Sequence, residues 1–83
     1  MEILIAGLGL IGGSMAKSLK RAGYIADGFD RQEVAVRAVG QGAVRAVASD
    51  FSVYDLVFVA LPPDAAMQFI GSGHFKDGAV VAD

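Results

Sequence analysis

Residues 7–14 read GLGLIGGS and follow the aliphatic run of residues 2–6 directly. An aliphatic run that ends abruptly in glycine predicts a strand buried on both faces, as in a parallel sheet. The stretch also sets Gly7, Gly9 and Gly12 at the spacing G-x-G-x-x-G, and a helical pattern follows it. A strand, three spaced glycines and a helix in this order predict a phosphate-binding turn.

The rest of the chain alternates strand and helix patterns. Strands are predicted at residues 24–30, 43–47, 56–61 and 78–83, and helices at residues 11–22, 32–39 and from a capping Asp64 to Ile70. The buried helix faces are predicted to carry Ile11, Met15, Leu19 and Ala22 in the first helix and Met67 and Ile70 in the third. This alternation predicts an α/β Rossmann-type fold, a doubly wound parallel sheet of strand order 3-2-1-4-5.

The three glycines have separate expected roles. Gly7 permits a tight turn, Gly9 removes a Cβ that would block a pyrophosphate, and Gly12 lets the helix pack closely on the sheet. The unpaired amides of Leu10 and Ile11 then face the phosphates at the positive end of the helix dipole. Leu8 lies between the first two glycines and belongs to the same predicted cofactor-binding loop.

An acidic residue completes this signature. Asp30 ends the second predicted strand, close to the roughly 20-residue distance from the glycines at which a ribose-binding carboxylate is expected. Such a carboxylate repels a 2′-phosphate, so the pattern favours NAD over NADP as the cofactor. The neighbouring Arg31 could instead stack on adenine or meet that phosphate, which leaves NADP as the less favoured alternative.

Composition limits the other functions. The 83 residues suffice for one domain, residues 1–83, and 54% of them are apolar. Cysteine is absent and His74 is the only histidine, lying in a predicted loop, so we predict neither a metal site nor a catalytic residue. A net charge of −2 without a basic patch argues against a nucleic-acid partner. No signal or membrane-spanning stretch is apparent, so we expect no membrane partner and a cytoplasmic location.

Two prolines end the fourth predicted strand. Pro62 and Pro63 interrupt the apolar run that finishes at Leu61. They either do no more than stop the strand or also line the crevice beside the glycine turn, and the sequence pattern leaves both interpretations open.

Four segments together resemble the amino-terminal part of prephenate dehydrogenases: GLGLIGGSMAKSLKRAG, GFDR, DLVFVALPPD and GAVVAD, which span nearly the whole chain. Members of that family oxidise prephenate, or arogenate in relatives, with NAD or NADP and loss of carbon dioxide, in tyrosine biosynthesis. The resemblance implies that the glycine loop holds the pyrophosphate and that Asp30 and Arg31 hold the adenosine ribose. It also implies that Leu61, Pro62 and Pro63 form the crevice wall.

The resemblance implies further parts that this chain does not contain. In the family, a Ser and Lys follow the segment matched at Asp83, and the catalytic histidine, the substrate arginine and a helical dimerisation domain come later. We therefore expect an NAD-binding portion that is inactive alone, and a substrate-binding homodimer for the full-length enzyme.

Other functions fit the same glycine motif. Dehydrogenases of 3-hydroxy acids or imines also begin with this half-domain, although they more often have Met after the second glycine, where this chain has Leu10. A nucleotide-sensing regulatory module, of the kind attached to ion channels, uses the half-domain without chemistry.

Overall fold

Strands and helices alternate along the chain, as predicted. The structure, a computed structural model, describes all of residues 1–83. Its strands are β1 (Ile3–Ala6), β2 (Asp27–Phe29), β3 (Leu56–Val59) and β4 (Val80–Ala82); its helices are α1 (Leu10–Arg21), α2 (Gln32–Gly40) and α3 (Pro63–Ser72), with a 3₁₀ turn at Phe51–Val53. None of the helices combines the length and apolarity that a bilayer-spanning segment requires.

All four strands form one parallel sheet in the order β2-β1-β3-β4. Ile5 of β1 pairs with Gly28 on one side and with Phe58 on the other. The predicted α/β fold with a parallel sheet is confirmed. Because the chain leaves β1 toward β2 and returns on the opposite side as β3, the carboxyl ends of β1 and β3 border a crevice.

Strand β1 is covered on both faces. Ile3 and Ile5 pack on one side in a core that includes Ala16 of α1. Leu4 packs on the other side in a core that includes Phe69 of α3. Burying one such aliphatic side chain contributes about 1.5–3 kcal/mol to stability, so this strand anchors the glycine turn that follows it.

The predicted third strand is not formed, and the five-stranded order 3-2-1-4-5 is therefore wrong. Residues 43–47 run alongside β2, but only the pair Gly28 and Val47 has the geometry of a parallel bridge. Ala43 and Val44 are adjacent in sequence, yet both pack into the same core as Ala16 of α1, whereas neighbouring residues of a strand point to opposite faces of the sheet. Packing of these two side chains against the core replaces regular strand pairing, and four strands remain.

The buried face of α1 is shifted from the predicted one. Met15 and Leu19 pack against the core as expected, but Gly12 and Ala16 are the fully buried residues. Ile11 is 72% exposed because the first turn of α1 lies beside the open crevice.

Helix α3 also differs from the prediction. Met67 is 74% exposed and Ile70 is exposed as well, whereas Phe69 is buried. Apolar residues occur all around this helix, so their spacing does not define one face, and its one aromatic side chain, Phe69, takes the buried position. Pro62 occupies the N-cap, with Pro63 at the first helical position, so Asp64 does not cap the helix.

Candidate functional site

A cleft of about 1050 Å³ lies at the carboxyl ends of the strands. Its walls are the glycine turn after β1, the residues that follow β2, the turn after β3 and one face of α3. This is the position at which open α/β sheets bind ligands, because the crossovers diverge there to opposite faces of the sheet.

Two glycines of the turn are required by the protein's own backbone. Gly7 has a φ of +99°, and a Cβ on it would overlap the carbonyl oxygen of Ala60. A Cβ on Gly12 would overlap the carbonyl oxygen of Gly7. These contacts bring the turn after β1, the start of α1 and the end of β3 together more closely than any side chain permits.

Gly9 differs from both. No protein atom lies within 4 Å of the position that its Cβ would occupy, and Gly9 lines the cleft together with Leu10 and Ile11. The backbone amides of these three residues donate no hydrogen bond within the protein, and the first turn of α1 contains no acidic residue. The result is an open backbone surface with free donors at the positive end of α1, which fits an anionic phosphate.

Asp30 lines the cleft next to this turn. Its Oδ2 accepts a hydrogen bond of 2.7 Å from the amide of Leu8, and its Oδ1 accepts one of 2.7 Å from the amide of Arg31. A carboxylate offers about four acceptor positions, so about two stay available after these bonds. The side chain is half-buried and borders the cleft.

Arg31 borders the same part of the cleft. Its side chain is 79% exposed, and its Nε lies 3.9 Å from Oε1 of Glu33. A solvated pair at this distance contributes little to stability, so the guanidinium remains free to move toward a ligand.

The predicted crevice wall is only partly formed. Leu61 and Pro62 line the cleft, whereas Pro63 starts α3 and does not. Leu8 and Gly12 do not line it either. Leu8 packs its side chain over Gly28, and Gly12 is buried against the turn. Leu8 and Gly12 therefore support the glycine loop on its core side and do not face the cleft.

Several residues that line the cleft were not predicted from the sequence. Three phenylalanines line the cleft as one cluster, with ring centroids 5.0 Å apart for Phe29 and Phe51 and for Phe51 and Phe69. The helical wall consists of residues spaced by three or four positions on α3: Ala65, Gln68, Phe69 and Ser72. That spacing was visible in the sequence, but the prediction had assigned the buried face to Met67 and Ile70.

The titratable groups with displaced pKa values all lie outside the cleft. They are Asp27, Arg45, Asp50, Tyr54 and Asp55. Active sites that move protons concentrate such groups. The cleft instead combines free backbone donors, one carboxylate and apolar walls, which is suited to binding.

The fold of this chain is similar to those of solved dehydrogenases. A solved arogenate dehydrogenase from Synechocystis is 30% identical over 98% of this chain, with a TM-score of 0.86. A prephenate dehydrogenase from A. aeolicus, solved in complex with hydroxyphenyl propionate and NAD+, is 27% identical over 98% of the chain, with a TM-score of 0.76. This chain spans 31% and 32% of those two proteins. No curated protein sequence shows significant similarity to it.

The predicted resemblance to prephenate and arogenate dehydrogenases is therefore confirmed. One family model, described as the NAD-binding domain of 6-phosphogluconate dehydrogenase, matches residues 2–83. This match also confirms NAD as the cofactor. The chain belongs to the family of NAD-binding domains that is named after 6-phosphogluconate dehydrogenase.

Proposed function

We propose that the pyrophosphate of NAD binds on the free amides of Gly9, Leu10 and Ile11. The space at Gly9 is the observation that carries this proposal. Gly7 and Gly12 are explained by contacts within the protein, but nothing in the protein approaches a Gly9 Cβ. A phosphate that approaches the backbone at this position accounts for the missing side chain.

The proposed ribose site is the carboxylate of Asp30. Its remaining acceptor positions suit the two hydroxyls of the adenosine ribose, and its negative charge disfavours a 2′-phosphate, so we expect NAD to bind better than NADP. Arg31 flanks this site, and Leu61 and Pro62 supply the apolar wall. Pro63 supports the wall as the first residue of α3.

Bound NAD supplies a hydride acceptor, while the protein supplies binding and orientation. Asp30 and Arg31 are the only charged side chains that line the cleft, and His74 lies outside it. Neither cleft residue is available as a general base, since both belong to the proposed ribose site. We infer that residues 1–83 form a dinucleotide-binding domain that transfers no hydride by itself.

The proposed enzyme is an oxidoreductase that oxidises prephenate or arogenate with decarboxylation, in tyrosine biosynthesis. Support comes from the two solved dehydrogenases, each of which extends over about three times the length of this chain. Substrate binding and formation of a homodimer are assigned, in this proposal, to a part of the enzyme outside residues 1–83.

A second candidate is a dehydrogenase of the group that gives the family its name. It is favoured by the family match, which covers residues 2–83 and names 6-phosphogluconate dehydrogenase. Both candidates require the same NAD site, so the first test concerns binding.

The test is a calorimetric titration of the chain and of Gly9→Val with NAD. We expect the wild-type chain to bind and the valine variant to lose at least about 100-fold in affinity, because its side chain fills the space proposed for the phosphate. Circular dichroism should stay unchanged, since no protein atom lies within 4 Å of the Cβ position at Gly9.

Gly40→Val is the matched control. Gly40 also has no protein atom within 4 Å of its Cβ position, but it ends α2 away from the cleft. Undiminished binding by Gly9→Val, or an equal loss in both variants, would contradict the proposal.

A further inference from the structure

Asp30 holds the glycine loop as well as bordering the proposed ribose site. The amide of Leu8 donates to Asp30 Oδ2 at 2.7 Å, which ties the loop after β1 to the end of β2. Oδ1 is in turn fixed by the amide of Arg31, also at 2.7 Å. The carboxylate therefore has a defined orientation before any ligand arrives.

The peptide unit between Gly7 and Leu8 is held at both of its polar atoms. Its carbonyl oxygen lies against Gly12, where a Cβ would overlap it. Its N–H is the donor to Asp30. Rotation of this peptide plane would break the hydrogen bond to Asp30 and displace the oxygen from its place against Gly12, so both contacts restrain the loop just before Gly9.

The side chain of Leu8 adds a third restraint. Its Cδ1 lies 2.7 Å from the position of a Cβ on Gly28, so the side chain rests directly on the backbone of β2. Val44 lies beside it, at 3.2 Å from the same Cβ position. Leu8 therefore points into the core while its amide points to Asp30.

We propose that Asp30 is a positioning residue for the pyrophosphate loop, so that one carboxylate connects the ribose site with the phosphate site. The ligand-binding half of this statement rests on the proposed NAD function. The loop-holding half does not, because the hydrogen bond to Leu8 exists without ligand. Loss of Asp30 should thus weaken binding even of a ligand that offers the carboxylate nothing to bind.

The first experiment uses the ligand-free chain. Amide hydrogen exchange measured by NMR should be at least about tenfold faster for Leu8 in Asp30→Ala than in the wild type, because a charge-assisted hydrogen bond protects this amide. The amide of Gly7 is the internal control, since it donates to the backbone oxygen of Phe29 at 2.7 Å. Gly7 should change less than Leu8.

Asp50→Ala is the matched control variant. Asp50 also accepts a backbone hydrogen bond, from Ser52 at 3.0 Å, but it caps the 3₁₀ turn at Phe51–Val53 and makes no hydrogen bond to the glycine turn. Asp50→Ala should leave the amide hydrogen exchange of Leu8 unchanged. In the wild-type chain, a scalar coupling across the hydrogen bond between Leu8 nitrogen and the Asp30 carboxyl carbon should be detectable, which tests the contact without any substitution.

The second experiment uses an NAD analogue that has hydrogen in place of both adenosine-ribose hydroxyls. If Asp30 only bound the hydroxyls, Asp30→Ala and wild type would bind this analogue equally. We expect the variant to bind it at least about tenfold more weakly, even though removal of a negative charge alone would favour an anion.

Unchanged exchange at Leu8, or equal or tighter binding of the analogue by Asp30→Ala, would overturn the positioning role. Failure of the proposed function has a different signature. In that case the wild-type chain would not bind NAD, yet Leu8 exchange would still accelerate in Asp30→Ala.

Discussion

Two carboxylates at opposite ends of β2 serve different purposes. Asp27 opens the strand at the amino edge of the sheet, and Asp30 follows the strand at the carboxyl edge. Both carry a negative charge and both lie next to core residues. They differ in how many of their acceptor positions the protein fills.

Asp27 is closed off by the protein. Arg45 binds both of its oxygens, at 2.9 Å through Nε and at 3.1 Å through Nη2, and the hydroxyl of Tyr54 donates at 2.6 Å. Arg45 also bonds to Glu2, which precedes β1. This network joins the starts of β1, β2 and β3 and leaves no room for a ligand.

Asp30 is held only by backbone amides, and the rest of its acceptor capacity faces the cleft. The comparison shows that a carboxylate's role follows from its unfilled acceptor positions rather than from its charge. A closed carboxylate stabilises the fold, whereas an open one can bind a partner. Substitutions at the two positions should therefore affect different measurements.

The largest expected effect is the loss of stability in Asp27→Ala. We expect the free energy of unfolding to fall by about 2–4 kcal/mol, because the buried hydroxyl of Tyr54 and the guanidinium of Arg45 both lose their acceptor. Urea denaturation followed by circular dichroism measures the change.

Asp30→Ala is the comparison variant and should cost only about 1 kcal/mol, since its bonds are to exposed or half-exposed amides. Equal losses in the two variants would show that the distinction between closed and open carboxylates is wrong.

A smaller change in stability is expected when the pH is lowered. Burial raises the pKa of Asp27, but the hydrogen bonds from Arg45 and Tyr54 outweigh it, so the pKa lies below its ordinary value. Such a group contributes stability above its unfolded pKa of about 4, and the contribution is lost as the pH falls through the folded value.

The difference in unfolding free energy between wild type and Asp27→Asn should therefore be complete at neutral pH and shrink below about pH 4. Urea midpoints for both proteins at several pH values measure this difference. A difference that persists unchanged into strong acid would mean that the ionised form of Asp27 has no stabilising role.

The sequence predicted the open carboxylate better than the closed one. Asp30 and the three glycines were found because the phosphate turn needs a particular residue type at each fixed spacing. Asp27, Arg45 and Tyr54 come together only through tertiary packing, and nothing in their spacing indicates it.

Dependence on tertiary packing also explains where the predicted fold was wrong. β1 was predicted well because a continuous aliphatic run has one stable outcome, burial on both faces. Residues 43–47 carry weaker strand signals, and there the side-chain packing of Ala43 and Val44 decided the backbone path. In α3 the choice of Phe69 over Met67 depended on the neighbouring aromatic rings, which the local pattern does not contain.

The smallest expected effect concerns the two arginines that accompany the carboxylates. Arg45 is bonded to Asp27, whereas the exposed side chain of Arg31 makes only a 3.9 Å contact with Glu33. Arg31→Ala should therefore leave stability unchanged within about 0.5 kcal/mol. Its effect should appear in ligand choice, measured by calorimetry with NAD and NADP.

We expect Arg31→Ala to bind NADP several-fold more weakly and NAD less than about threefold more weakly, because only NADP carries a 2′-phosphate for the guanidinium to meet. Arg37→Ala removes the same charge from an exposed position on α2 outside the cleft and should change neither affinity. Equal losses for the two nucleotides would instead mean that Arg31 contacts a group that both share, such as the adenine ring. The carboxylate of Asp30 alone would then set the preference between NAD and NADP, since Arg31 would contribute equally to the affinity for both nucleotides.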